Sequence, residues 1–203
     1  MSTPLTAERF SALVRAAGVK LVGQPGWQTN NRGNRGTGWG PVNGVMIHHT
    51  VTRGLEQTIR IVTQGQSAEV PGPLYAGVVD KDGTLCMTGW GRCNHAGLGD
   101  DDVLRAVIRE DHLPVPNEAN TDGNSRFYGF AGLNMGDGRD PWPTAQLNTL
   151  MVVSAVICKH HGWHAESVIG HRDWQPGKPD PRGPEGYLMP GIRTGVRTWL
   201  RSH

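Results

Sequence analysis

The sequence predicts an α/β domain with a single mixed central β-sheet flanked by helices. Three observations carry this. Strand-type runs alternate with runs of helical periodicity along most of the chain, a pattern that places helices on the faces of one sheet. The length of 203 residues suits one domain, since domains span roughly 100–200 residues. Glycine and proline, 29 and 14 residues, make up about a fifth of the chain against roughly 12% on average. With seven Trp in the same chain, that excess reads as long, shaped loops on a packed scaffold rather than as disorder. Residues 1–203 are therefore expected to form one domain, with 1–43 as an N-terminal helix and a Gly/Asn-rich lead-in.

Thr6 to Ala17 reads as a short amphipathic helix, with Phe10, Leu13, Val14 and Ala17 on one face and Gly18 placed to end it. Asn30 to Gly44 is a loop. Gly44-Val45-Met46-Ile47-His48-His49 follows as an apolar run of buried-strand type that ends in two histidines. Leu55 to Gln64 carries Leu55, Ile59 and Val62 on one side of a helix. Leu74 to Val79 and Thr84 to Thr88 flank Asp80-Lys81-Asp82-Gly83, a hairpin signal. Asp101 to Arg109 is helical, with Val103, Ala106 and Val107 inward, and Leu113 to Arg126 is a loop. Phe127 to Leu133 is a short strand. The strongest helix runs from Thr144 to His160, with Pro143 at its start and a core stripe of Leu147, Leu150, Met151, Ser154, Ile157 and Cys158. Val168-Ile169-Gly170-His171 is another buried strand ending in histidine, and Ile192 to Arg201 is a last helix.

Composition excludes several classes. Lys and Arg total 20 against 18 Asp and Glu, a net charge of +2, too even for a protein that grips nucleic acid by bulk charge. Apolar stretches such as Met151-Val152-Val153 are far shorter than the roughly 20 residues of a membrane span. Met1 to Phe10 has no basic segment followed by an apolar one, so no signal peptide is expected. Cys86, Cys93 and Cys158 are odd in number and form no CxxC pair, which gives neither a disulfide framework nor a zinc knuckle. Reduced, buried thiols are expected, with a Cys86–Cys93 bridge as the alternative outside the cell.

His48 and His171 each end a strand, and strand ends with the loops beyond them are where a rigid scaffold aims catalytic groups. Asp180 follows His171 within one Pro/Gly-rich segment. Two neutral imidazoles and a carboxylate leave a tetrahedral Zn²⁺ one open position for water, as in hydrolytic sites. Adjacent strand residues face opposite sides, so only one of His48 and His49 can point into such a site. His160, His161 and His164 stand at the end of the long helix and read as solvated, helped by the negative helix terminus.

In one order along the chain stand Ile47-His48-His49-Thr50, Tyr75 to Gly83, Asn94-His95-Ala96-Gly97, Gly170-His171-Arg172 and Lys178-Pro179-Asp180. That order resembles the zinc-dependent N-acetylmuramoyl-L-alanine amidases of the type 2 family, which includes peptidoglycan recognition proteins and phage lysozymes with amidase activity. The similarity points especially to endolysins of phages that infect actinobacteria. The resemblance implies that His48, His171 and Asp180 are the zinc ligands, with His49 outside the ligand set. It further implies that Tyr75 and Lys178 flank the scissile amide and donate to its oxyanion, and that His95, Arg172 and Trp174 contact substrate. The implied partner is cell-wall peptidoglycan, with no nucleic acid and no membrane insertion; the sequence does not set the oligomeric state, for which a monomer is the expectation. An endolysin would collect in the host cytoplasm until another protein opens the membrane.

One departure stands out. Relatives often carry a glutamate as general base in the strand matching Phe127 to Asn134, where this chain has Ala131. Either Tyr75 with Lys178 suffices, or an acid such as Glu118 or Asp122 reaches in from the preceding loop, or activity is low. A non-catalytic peptidoglycan-binding module is thus the alternative to the enzyme. An HNH-type nuclease, suggested by His48-His49 and Asn94-His95, needs a compact ββα unit that the intervening helix and hairpin signals do not allow.

Overall fold

The protein, seen in a computed structural model, is described for residues 2–34 and 38–203. Residues 35–37, in the middle of the expected Asn30–Gly44 loop, and residue 1 lie outside the described residues. Helix α1 (Ala7–Ala16) begins where the Thr6 side chain accepts the Arg9 N–H, and it buries Phe10 and Val14. Strand β1 (Leu21–Gly23) follows, then β2 (Gly44–His49), α2 (Leu55–Gln64), β3 (Gly77–Val79) and β4 (Leu85–Met87). Next come β5 (Leu98–Gly99), α3 (Asp101–Arg109), β6 (Thr121–Asp122), β7 (Phe127–Gly132) and α4 (Thr144–His161). The chain closes with β8 (Val168–Gly170), α5 (His171–Trp174), β9 (Arg182–Gly183), β10 (Gly186–Tyr187) and α6 (Met189–Ser202).

The central sheet has six strands in the order β1-β4-β3-β7-β2-β8. Only the β3–β4 pair is antiparallel; the other neighbours run parallel. Alternation along β2 sorts the two faces. Val45 and Ile47 join Phe10, Val14, Phe130, Leu150, Ile157 and Val196 in a core beneath α1, α4 and α6. On the other face Met46, Phe127 and Ile169 pack with Val103, Val107 and Trp174. Val78 and Cys86 on that face pack with Ile59 and Val62 of α2. His48, in register with Ala131 of β7, lies on this second face between the two apolar patches.

The mixed α/β fold class stands, and several local expectations change. Residues 113–126 are not all loop: β6 pairs with β5, and a one-turn 3₁₀ helix covers Gly123–Ser125. Strand β8 ends at Gly170, so His171 opens a one-turn helix and does not close the strand. Helix α4 is buried on more than the expected stripe, with Val153, Ala155 and Val156 also inside, because it is sandwiched between the sheet and α1 and α6. Helix α6 starts earlier than Ile192, with Pro190 in its first turn, where a missing N–H costs nothing. Cys86, Cys93 and Cys158 are free and buried, so no Cys86–Cys93 bridge forms. Burial raises the Cys86 thiol to about 11.

Candidate functional site

Three elements deliver three donors to one point. His48 comes from the C-terminal half of β2, His171 from the first position of α5, and Asp180 from the loop after α5. All three are buried, and their ligand-type atoms lie within 4.8 Å of one another. The Asp180 Oδ2 is 2.9 Å from His48 Nδ1 and 3.2 Å from His171 Nδ1. Ligand atoms around a tetrahedral Zn²⁺ stand about 3.3 Å apart at ordinary bond lengths, so the set has the span the ion needs. Its chemistry also fits. A buried carboxylate beside two imidazoles costs several kcal/mol unless positive charge or hydrogen bonds compensate it. Burial alone would raise the Asp180 carboxyl, but hydrogen bonds with His171 and His48 outweigh that and hold it well below the usual range. Burial pushes His48 down to about 4, leaving the neutral ring that a metal requires.

The loop between β4 and β5 closes the floor. His95 sits under His48, with Nδ1 3.0 Å from His48 Nε2, and its own Nε2 is 3.3 Å from the Phe127 carbonyl. The Asn124 side-chain oxygen accepts the backbone N–H groups of His95, Ala96 and Gly97 at 2.8, 2.8 and 3.3 Å. Burial keeps His95 neutral, its pKa well below the ordinary value. His171 Nε2 meets Gln175 Oε1 at 3.2 Å, and the Arg172 N–H donates to the Asp180 carbonyl at 2.9 Å, tying α5 to the ligand loop. Asn124 and Gln175 were missed in the sequence. Asn124 had a faint signal, the Asp122-Gly123-Asn124-Ser125 turn run, and Gln175 had none.

The other expected residues divide. The Tyr75 ring is 5.0 Å from the His48 ring, and burial with Asp180 nearby drives its phenol far up, so it keeps its proton. Lys178 is exposed on the loop before Asp180. It lines a cleft of about 1120 Å³ together with Arg172, Arg182 and Tyr187, and that cleft adjoins the three donors without including them. Arg172 is exposed, with its guanidinium 5.0 Å from the Tyr187 ring centre. Trp174 corrects an expectation: it is 0% exposed and packs edge-on to Phe127, so it supports the core and has no surface to offer a substrate. Gly99 lets the indole in, since a Cβ there would lie 2.2 Å from it. His95, 7% exposed, likewise faces His48 and not the outside.

Ala131 faces the site beside His48 and adds no acid to it. Neither acid expected to reach in does so. Asp122 is bound to Arg92 at 2.7 Å and caps the Asn124 N–H, and Glu118 stands with Asp100, Asp101 and Asp102. His49 points to the opposite face, where Nδ1 accepts the Arg182 N–H at 3.3 Å. The three helix-end histidines are only partly solvated. His160 is exposed, but His161 stacks on Trp163 and accepts the Tyr128 O–H at 2.9 Å, and His164 pairs with Glu110.

Comparison with known proteins adds the family. The sequence profile described as N-acetylmuramoyl-L-alanine amidase (Amidase_2) matches residues 38–183. No curated protein matches the sequence. Among solved structures, the fold is similar to an endolysin N-acetylmuramoyl-L-alanine amidase, LysCS, from Clostridium intestinale URNW, at 18% identity, with 87% of this chain and 95% of that chain covered and a TM-score of 0.53. It is similar to the Staphylococcus aureus hydrolase AmiA at 11% identity, covering 98% and 93%, with a TM-score of 0.57. A third likeness is to AmpDh3 from Pseudomonas aeruginosa, at 14% identity, covering 76% and 59%, with a TM-score of 0.53.

Proposed function

The chain belongs to the N-acetylmuramoyl-L-alanine amidase family and is an enzyme that hydrolyses an amide bond of peptidoglycan, and we propose that it works with Zn²⁺ held by His48, His171 and Asp180. The observation that carries this reading is the convergence of three buried donors from three elements within 4.8 Å. The bond is the one joining the lactyl group of N-acetylmuramic acid to the L-Ala of the stem peptide. Zn²⁺ in that place supplies Lewis-acid polarisation of a carbonyl and brings the pKa of water to roughly 7.

The chain's own groups do the rest. Tyr75 stays protonated and offers its O–H to the carbonyl oxygen as that atom gains charge. Lys178 brings a second donor from the rim of the adjoining cleft, and Arg172 on the same rim meets the polymer. Among the described residues no helix is long and apolar enough to cross a membrane. We read the biological role as that of a phage endolysin acting on the host wall, a reading supported by the order of motifs and by the fold likeness to a clostridial endolysin.

The test is release of new N-terminal L-Ala from purified peptidoglycan, followed before chelation, after chelation and after return of Zn²⁺. Release that disappears with the metal and returns with it is expected. Wall binding without release would overturn the catalytic reading, and full release from metal-free protein would overturn the zinc assignment.

A further inference from the structure

We propose that His95 is a positioning residue for the metal centre: its Nδ1 accepts the Nε2–H of His48 and so holds that ring with Nδ1 turned to Asp180. The proposal rests on the reading of His48 as a zinc ligand. It reassigns His95, which the motif order placed on the substrate side.

The Phe127 carbonyl can only accept a hydrogen bond, and it lies 3.3 Å from His95 Nε2. A lone pair there would face a lone pair, so the proton of the neutral His95 sits on Nε2. His95 Nδ1 is then an acceptor, and the atom 3.0 Å away is His48 Nε2, which must donate. With its proton on Nε2, the neutral His48 turns the Nδ1 lone pair toward Asp180 Oδ2, 2.9 Å off, a pairing that needs a cation between the two atoms, because without one the carboxylate draws the proton to Nδ1. The Phe127 carbonyl at one end and a cation between Nδ1 and Asp180 at the other thus favour the same tautomer in both rings, the one in which His95 holds the His48 N–H.

The surroundings are built to keep this chain in register. Asn124 gathers the N–H groups of His95, Ala96 and Gly97 on one oxygen, which fixes where the His95 backbone lies. Position 129 in β7 is glycine, and a Cβ there would come within 2.5 Å of the His95 ring. At 7% exposure, His95 is closed to a polymer but closely packed against the ligand.

Two substitutions separate positioning from bulk packing. His95→Leu keeps volume and removes the acceptor, whereas His95→Asn can return an oxygen near the Nδ1 position. Zinc affinity, read by competition with a chromophoric chelator, is expected to fall about 10–100-fold in His95→Leu and to recover most of that loss in His95→Asn, with unchanged circular dichroism. In zinc-loaded wild type, nitrogen-15 NMR is expected to show a scalar coupling across the N–H···N bond from His48 Nε2 to His95 Nδ1. Wild-type affinity in a folded His95→Leu overturns the proposal. So does an Nδ1-protonated His95 in the zinc-loaded wild type, a result that does not depend on any variant folding. Failure of the wild type itself to bind zinc is recognised separately, because every variant then behaves alike, and it overturns the zinc reading together with the role that rests on it.

Discussion

His48 and His171 come from two elements and meet one carboxylate, with His95 from a third segment beneath His48, whereas His160, His161 and His164 lie within one short stretch and share no such centre. In the first group both nitrogens of every ring lie within hydrogen-bond distance of a protein partner. In the second, each ring is spent singly: His160 faces solvent, His161 stacks on Trp163, and His164 pairs with Glu110. Density of histidine in the sequence therefore says little about a centre. What matters is a buried acid and separate rigid elements aimed at it, which the sheet supplies at the ends of β2 and β8 and the helix end does not.

Removing a converging imidazole has the largest expected effect. His48→Ala or His171→Ala is expected to abolish bound zinc and amidase turnover while leaving a folded domain, since a three-ligand site rarely survives that loss. His160→Ala is expected to change neither. Metal analysis and L-Ala release on the three variants check this. Asp180 sharpens the same point: Asp180→Ala should lose most zinc affinity, whereas Asp180→Cys should retain zinc, because a thiolate is a good ligand.

A smaller effect is expected where the site is approached but not built. Tyr75→Phe keeps the ring packed near His48 and removes only the O–H. It should cost roughly 100- to 1000-fold in turnover, the usual effect of losing an oxyanion donor, with zinc content unchanged. Unimpaired release would remove Tyr75 from the chemistry.

The smallest effects belong to the helix end, and they have opposite signs. Burial lowers His161 to about 4 from an ordinary 6.5, so its contribution to stability is present above pH 6.5 and is lost as pH falls toward 4. His161→Gln should therefore flatten the fall in Tm across that interval. His164 is raised by its hydrogen bond to Glu110. Glu110 is lowered despite its burial, because bonds from His164 and Ser167 outweigh desolvation. The pair thus stabilises between the ordinary values, 4.5 for Glu and 6.5 for His, fading above as His164 discharges and below as Glu110 protonates. It is mostly exposed and is worth at most about 1 kcal/mol, less in salt. His164→Ala should lower Tm slightly near pH 5.5 and not at pH 9.

Much of the scaffold was legible because it is periodic. The bounds of α2 and α3 follow from residues such as Ile59, Val62, Val103 and Val107, which recur at helical spacing. The direction of His48 follows from alternation with Val45 and Ile47 alone. The two- and three-residue strands β1, β5, β6, β9 and β10 are too short to show any period. The start of α5 at His171 was hidden because Val168 to Gly170 reads as a strand that could include it. Roles that depend on long-range pairs were out of reach. Nothing local says that Gln175 would meet His171, that Asn124 would hold the His95 loop, or that Trp174 would be drawn inward past Gly99 and Gly123.

Whether one zinc centre is built on His48, His171 and Asp180 is decided by anomalous X-ray diffraction at the zinc edge on crystals of the full chain. A single peak is expected about 2.0–2.2 Å from His48 Nδ1, His171 Nδ1 and an Asp180 oxygen. A zinc-loaded crystal with no peak there, or with its peak at the other acidic group of Asp100, Asp101, Asp102 and Glu118, would contradict it.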